Sequence, residues 1–259
     1  MSTPPDKHEP EEQLAEGTLM SHLLELRSRI MKAVLAVIVV FLCLMPFIND
    51  VFEIVSKPLR EALPEGSEMI VTDVAAPFLT PFKTTFFVAL FIAMPVVLFQ
   101  VWQFVAPGLY KREKRFAIPL MVSSVVLFYT GIAFAYFIVF RVMFGFFASV
   151  TPSGVEMTPD ISAYLSFVLG IFLAFGLAFE VPIATVMLIW SGLVSAKALK
   201  GARPYVFLGA FIVGMVLTPP DVFSQTLLAI PMYLLYEGGL LMARLLIPEK
   251  VGVEKHSEA

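Results

Sequence analysis

Of 259 residues 58% are hydrophobic, 25 are Phe, and only 15% are charged, and the mean hydropathy is +0.85. No water-soluble globule can bury so much apolar surface, so the composition is that of an integral membrane protein. The net charge of −3 decides nothing by itself, because the placement of the charges matters more. Cys43 is the single cysteine and the three His never fall at ligand spacing, which excludes a disulfide framework or a cysteine or zinc metal site; no cofactor is expected.

The first 17 residues are rich in Pro, Glu and Asp without apolar periodicity and read as a disordered tail. Thr18 is a plausible N-cap, after which Leu19, Leu23, Leu26 and Ile30 form one helical face while His22, Glu25 and Arg29 lie on another. The apolar segments are helix-length and show no period of two, so the expected fold is an all-α bundle of membrane spans and not a barrel. Six spans are expected, at residues 31–48, 84–106, 116–140, 163–193, 205–217 and 222–241, within a membrane domain of residues 18–246 followed by a polar tail at 247–259.

Between the first two spans, residues 49–83 mix a short amphipathic piece with Pro58, Pro64, Pro77 and Pro81, which predicts a structured external cap. The third apolar run, 116–150, is longer than the roughly 20 residues that cross the hydrocarbon, so it must tilt or project, with Arg141 at its far interface. The last two spans read as short: 13 residues at 205–217 and 15 uninterrupted at 222–236, about 20 Å each against a roughly 30 Å core. Either the bilayer is thinned there or the pair is a re-entrant hairpin.

Lys and Arg set the orientation. The N-terminal segment, the loop around Lys111, the loop around Lys197 and the C-terminal tail hold 14 of the 18 cations, and the two long loops between them hold few. By the positive-inside rule both termini are expected in the cytoplasm, which requires an even number of spans. Glu25 and Glu113 then share the cytoplasmic face.

Several runs of residues resemble one family. They are His22-Leu23-Leu24-Glu25-Leu26-Arg27 before the first span, Ser56-Lys57-Pro58-Leu59, Thr72-Asp73-Val74 and Pro77-Phe78 in the external loop, and residues 104–110 leading from Phe104 to Glu113. Further along come Phe179-Glu180-Val181-Pro182, Arg203-Pro204-Tyr205, and Leu217-Thr218-Pro219-Pro220-Asp221 with Gln225 and Ala229-Ile230-Pro231. In this order and spacing they resemble the TatC family, the multi-spanning receptor of the twin-arginine protein export system.

The resemblance implies a bacterial inner-membrane protein without chemistry of its own. It would bind twin-arginine signal peptides of folded precursors and, with single-span TatA and TatB partners, support export driven by the proton-motive force. Self-association in a larger complex is expected, and no nucleic-acid partner. A guanidinium forms bidentate pairs with carboxylates, so two adjacent arginines need two acids on one surface, which Glu25 and Glu113 supply. Leu26 and Phe104 would offer apolar contact beside Arg27. The simpler readings are that Glu25 and Arg29 stabilise their own helix as i, i+4 neighbours, that Glu113 balances charge among Lys111, Arg112, Lys114 and Arg115, and that Arg27 anchors the interface.

Glu180 is a carboxyl inside an apolar helix, where a charge costs roughly 2.5–3.5 kcal/mol, followed by a helix-loosening Pro182. It is either a spot where a partner helix or transported chain docks or an internally satisfied group that fixes packing. Asp221 is read as a helix cap, and the resemblance implies a partner-binding surface around Gln225. Pro58 and Phe78 shape the external cap or touch the precursor. A secondary transporter is the alternative, because six spans with broken helices and Glu180 would suit one, but no internal repeat supports it. An intramembrane enzyme lacks HExxH, GxSxG or a His within a span.

Overall fold

The computed structural model describes residues 9–61, 69–105, 114–150, 152, 158–218 and 221–246. Ten α-helices carry the described chain: α1 (Glu9–Leu44), α2 (Ile48–Glu61), α3 (Ala76–Val105), α4 (Lys114–Phe134), α5 (Phe140–Val150), α6 (Ile161–Ala178), α7 (Val181–Trp190), α8 (Ala196–Gly201), α9 (Arg203–Leu217) and α10 (Val222–Leu246). Five helical stretches are long and apolar enough to cross a membrane: Met20–Lys57, Ala76–Phe104, Ile118–Phe147, Ile161–Trp190 and Val222–Leu246. The apolar helix Arg203–Leu217 is shorter. Among the described residues the sole sheet-type pairing is an isolated bridge between Ile70 and Asp160, so the all-helical expectation holds.

Two elements depart from the sequence reading. Helix α1 begins at Glu9, nine residues before Thr18, so Thr18 lies inside the helix and residues 9–17 are helical and not part of a disordered tail. The reason is local: the run Glu-Gln-Leu-Ala-Glu favours helix, and acids in the first turns complement the positive helix terminus. The second departure is larger. Helix α10 is not short but 25 residues, about 37 Å, which exceeds a roughly 30 Å hydrocarbon core. Glu237 looks like a terminus in the sequence, but its carboxylate is engaged by Arg203 and Tyr233 and the helix runs past it. Only α9 remains short, so a hairpin of two short helices is excluded.

The span at 161–190 is divided at Phe179 and Glu180 into α6 and α7, where the sequence expects Pro182 to loosen the helix. Pro182 sits in the first turn of α7, and its missing N–H removes the bond that would have joined the two helices there. The long run through Arg141 is also interrupted, by a single π turn at Ala135–Val139 between α4 and α5. Arg141 is exposed, yet the helix continues past it to Val150.

Lipid is as apolar as leucine, so these helices are held by close van der Waals packing and not by exclusion of water. Helix α6 is the centre: Leu165, Val168, Ile171 and Phe175 pack on Val139, Phe140 and Met143, and on Leu228 of α10. A second cluster joins Met94, Leu98 and Trp102 of α3 to Phe128 of α4 and Ile183 of α7. Glycines permit the closest approaches. A Cβ on Gly131 would collide with the carbonyl oxygen of Phe175, and one on Gly239 would lie 2.8 Å from the Pro182 Cα.

The described residues between the first two long helices are built against the core. Helix α2 turns Phe52 and Val55 to the core, buries Ser56 and leaves Ile54 exposed. Backbone bonds Ile70 N–H to Pro159 (3.2 Å) and Ile161 N–H to Ile70 (3.0 Å) tie the segment before α3 to the segment before α6. Asp160 locks the junction: its carboxylate accepts from the Ala163 N–H at 2.9 Å, capping α6, and from the Thr72 N–H and hydroxyl at 2.8 and 2.7 Å. The Ala163 bond and then the two Thr72 bonds favour the charged form and hold this carboxyl down to about 2.

Candidate functional site

The rim where α1 enters and α3 leaves brings His22, Glu25 and Arg29 against Gln100, Gln103 and Phe104. Residues 22, 25 and 29 recur at helical spacing; His22 and Arg29 meet α3 directly, and Glu25 is tied to it through Arg29. Arg29 forms an ion pair with Glu25 at 3.2 Å. Its other guanidinium nitrogen donates to Gln103 and, at 3.5 Å, reaches Gln100. The His22 ring stacks on Phe104 at 4.5 Å between centroids, nearly parallel. Both charges stay accessible, with side-chain exposures of 35% for Glu25 and 24% for Arg29. Leu26 is half-buried and Arg27 is exposed.

Of the five residues expected to bind a peptide, four are therefore described, and Glu25 and Phe104 lie on one patch joined through Arg29 and His22. Glu113 lies outside the described residues. Sequence reasoning did not find Arg29 as a bridge to α3, nor Gln100 and Gln103. The available signal was two amides three residues apart at the end of an apolar helix, one turn before an aromatic residue.

Glu180 sits at the α6–α7 break, half-buried. One carboxylate oxygen accepts from the hydroxyl of Ser124 on α4, and the other is buried with no partner among the described residues. Both readings of Glu180 thus retain an observation: a packing bond on one side and an unmet acceptor on the other.

The α9–α10 turn is closed by the residues expected to act there. Asp221 accepts from the Ser224 N–H at 2.7 Å, the cap that its position implied. The Gln225 amide donates to the Phe211 carbonyl at 2.9 Å, fastening α10 to α9, so its own polar group is turned inward. A stacked Phe146–Phe223 pair, with centroids 3.8 Å apart, ties this corner to α5. Phe78, at the start of α3, is 65% exposed beside Phe82; Pro58 lies within α2 and its side chain is not among those described.

A second charged cluster was not anticipated. Arg203, the first residue of α9, donates to Glu237 of α10 at 2.7 Å, and the Tyr233 hydroxyl donates to the other Glu237 oxygen at 2.9 Å. Tyr236 bonds the Leu199 carbonyl at 2.5 Å and so secures α8 as well. The signal was present in the sequence as an acid one turn after Tyr233, but it was read as the end of a span.

These features define a polytopic α-helical membrane protein whose described polar groups gather at its helix ends and at one helix break. The model of the family described as Sec-independent protein translocase protein (TatC) matches residues 21–231. A relative of that name from Azotobacter chroococcum is 63% identical over 222 residues, 86% of this chain and 87% of its own length. The Escherichia coli K12 relative is 55% identical over 226 residues, 87% and 88% of the two chains. A crystal structure described as the twin arginine translocase receptor TatC superposes with a TM-score of 0.79 at 37% identity, covering 86% of this chain and 98% of that one.

The chain belongs to the TatC family. It is a membrane protein of Sec-independent protein translocation, a transport function and not a catalytic one, and the solute-transporter alternative is not favoured.

Proposed function

We propose that the α1–α3 rim is the receptor surface for twin-arginine signal peptides of folded precursors. The observation that carries this reading is the Glu25–Arg29 pair, held against α3 beside the stacked His22 and Phe104 rings. An exposed i, i+4 pair is worth only about 0.3–0.5 kcal/mol, so an incoming guanidinium that grips Glu25 through two N–H bonds displaces Arg29 at little cost. Arg29 stays in place on Gln100 and Gln103 when this happens, and no charge is stranded. Glu113 takes the second arginine, while Leu26 and Phe104 receive the apolar residues that follow and Arg27 borders the site.

The chain sits in the bacterial inner membrane with six spans, counting α9, and with both termini in the cytoplasm, in accord with the placement of 14 of its 18 Lys and Arg. TatA- and TatB-type partners pack on the corner closed by Asp221 and Gln225, whose neighbours Val216 and Val222 are strongly exposed. Glu180, with one unmet oxygen, contacts the transported chain or a partner helix during transport driven by the proton-motive force. Phe78, with Pro58, borders the exit side.

Site-specific crosslinking from probes at positions 26 and 104, which leave both acids in place, tests the receptor site with peptides bearing Arg-Arg or Lys-Lys. The expected result is capture of Arg-Arg peptides at both positions and loss of at least tenfold with Lys-Lys or after Glu25→Ala. Equal capture of both peptides overturns the proposal.

A further inference from the structure

At the α9–α10 end, a cavity of about 300 Å³ opens between Arg203 on one side and Glu237, Gly238, Leu240, Leu241 and Arg244 on the other. Residues 237, 240, 241 and 244 fall at i, i+3, i+4 and i+7 of α10, so they form one face of that helix. That face runs from charged to apolar and back to charged. Both oxygens of its one acid are engaged, by Arg203 and by Tyr233. The charge balance is positive: Arg244 is exposed and forms no ion pair among the described residues, and Arg203 meets Glu237 through a single nitrogen and not through its fork. Lys197 and Lys200 on α8 add two exposed cations, and the Tyr236–Leu199 bond holds α8 against α10.

The surroundings are those of lipid. Leu241, which lines the cavity with the two arginines, is 57% exposed, and Leu245, next in the chain after Arg244, is 77% exposed. An apolar floor open to acyl chains, under a cationic rim at the end of a membrane helix, is complementary to a phosphate on a glycerol backbone. Arg suits this role because its planar fork binds two phosphate oxygens at once.

We propose that this cavity binds the phosphate of an anionic phospholipid headgroup, with Arg244 as its free guanidinium and Arg203 as the one shared with Glu237. A bound phosphate would span α9 and α10 and bring α8 to them, securing the 15-residue α9. Inorganic phosphate offers the same chemistry, so the test separates the two sources.

The full chain, purified in neutral detergent and depleted of lipid, is titrated with dioleoylphosphatidylglycerol, dioleoylphosphatidylcholine or inorganic phosphate. Retained lipid is counted by native mass spectrometry and the melting midpoint is followed. The glycerol lipid is expected to be retained over the choline lipid, and Arg244→Gln to weaken its retention about tenfold. Arg244→Lys, which keeps the charge and the interfacial anchor but loses the fork, is expected to fold as the wild type and still lose retention severalfold. A midpoint raised by inorganic phosphate in wild type but not in Arg244→Gln supports recognition of the phosphate alone. A response confined to the lipid supports a site that also needs the acyl chains. Equal phosphatidylglycerol retention by wild type and both variants overturns the proposal, as does equal retention of the two lipids.

Discussion

Two acid–arginine pairs at helix ends invite comparison. Glu25 and Arg29 are four residues apart on one helix, while Glu237 and Arg203 are 34 apart and join two. The first pair would form in an isolated helix and contributes little to the fold, so it can open for a ligand without loosening the protein. The second exists only because α9 and α10 are already packed, with Tyr233 completing its contacts. Opening it would release the end of the bundle. The same two residue types thus serve exchange in one place and fastening in the other, and chain separation decides which.

The sharpest way to break this contrast is to part α10 from α7 beside the second pair. Gly239→Val inserts a branched side chain where even a Cβ lies 2.8 Å from the Pro182 Cα, and a loss of about 2–3 kcal/mol is expected, read as a lowered unfolding midpoint in detergent. Its neighbour Gly238 faces open space, so Gly238→Ala should leave the midpoint unchanged or raise it slightly.

Next in size is a direct comparison of the acids. Glu237→Ala leaves Arg203 and the Tyr233 hydroxyl without their partner and should lower the melting midpoint by a few degrees. Glu25→Ala removes only about 0.3–0.5 kcal/mol and should not shift the midpoint measurably. Equal shifts would show that the two pairs do not differ in kind.

The smallest effect concerns a third acid, which has no arginine partner among the described residues. Asp160 is held by N–H and hydroxyl donors, and its carboxyl stands at about 2, below the roughly 3.9 of an unfolded Asp. A group depressed in the folded state stabilises it fully above about pH 4 and loses that contribution as the pH falls toward 2. Amide exchange at Thr72 and Ala163 should therefore quicken relative to the intrinsic rate between pH 4 and 2, and Asp160→Asn should remove this dependence.

The sequence was most legible where a signal is local. The membrane class, the helical character, the amphipathic α2, the cap at Asp221 and the weak point at Pro182 all depend on residues within a turn or two of each other, or on composition over about 20 residues. The end of α10 was misjudged because a lone Glu in an apolar run has the same local appearance whether it ends a helix or lies inside one.

What the amino-acid order determined unaided was therefore the solvent, the segments that cross it and the placement of cations around them, because hydrophobic transfer and helix propensity act residue by residue. Tertiary structure alone decided that Arg203 finds Glu237, that Arg29 reaches Gln103, that Asp160 ties Thr72 to the start of α6 and that Gly131 lets α4 approach α6. Each of these joins residues at least 34 positions apart. A hydrogen bond over that separation forms only after packing has brought the helices within reach.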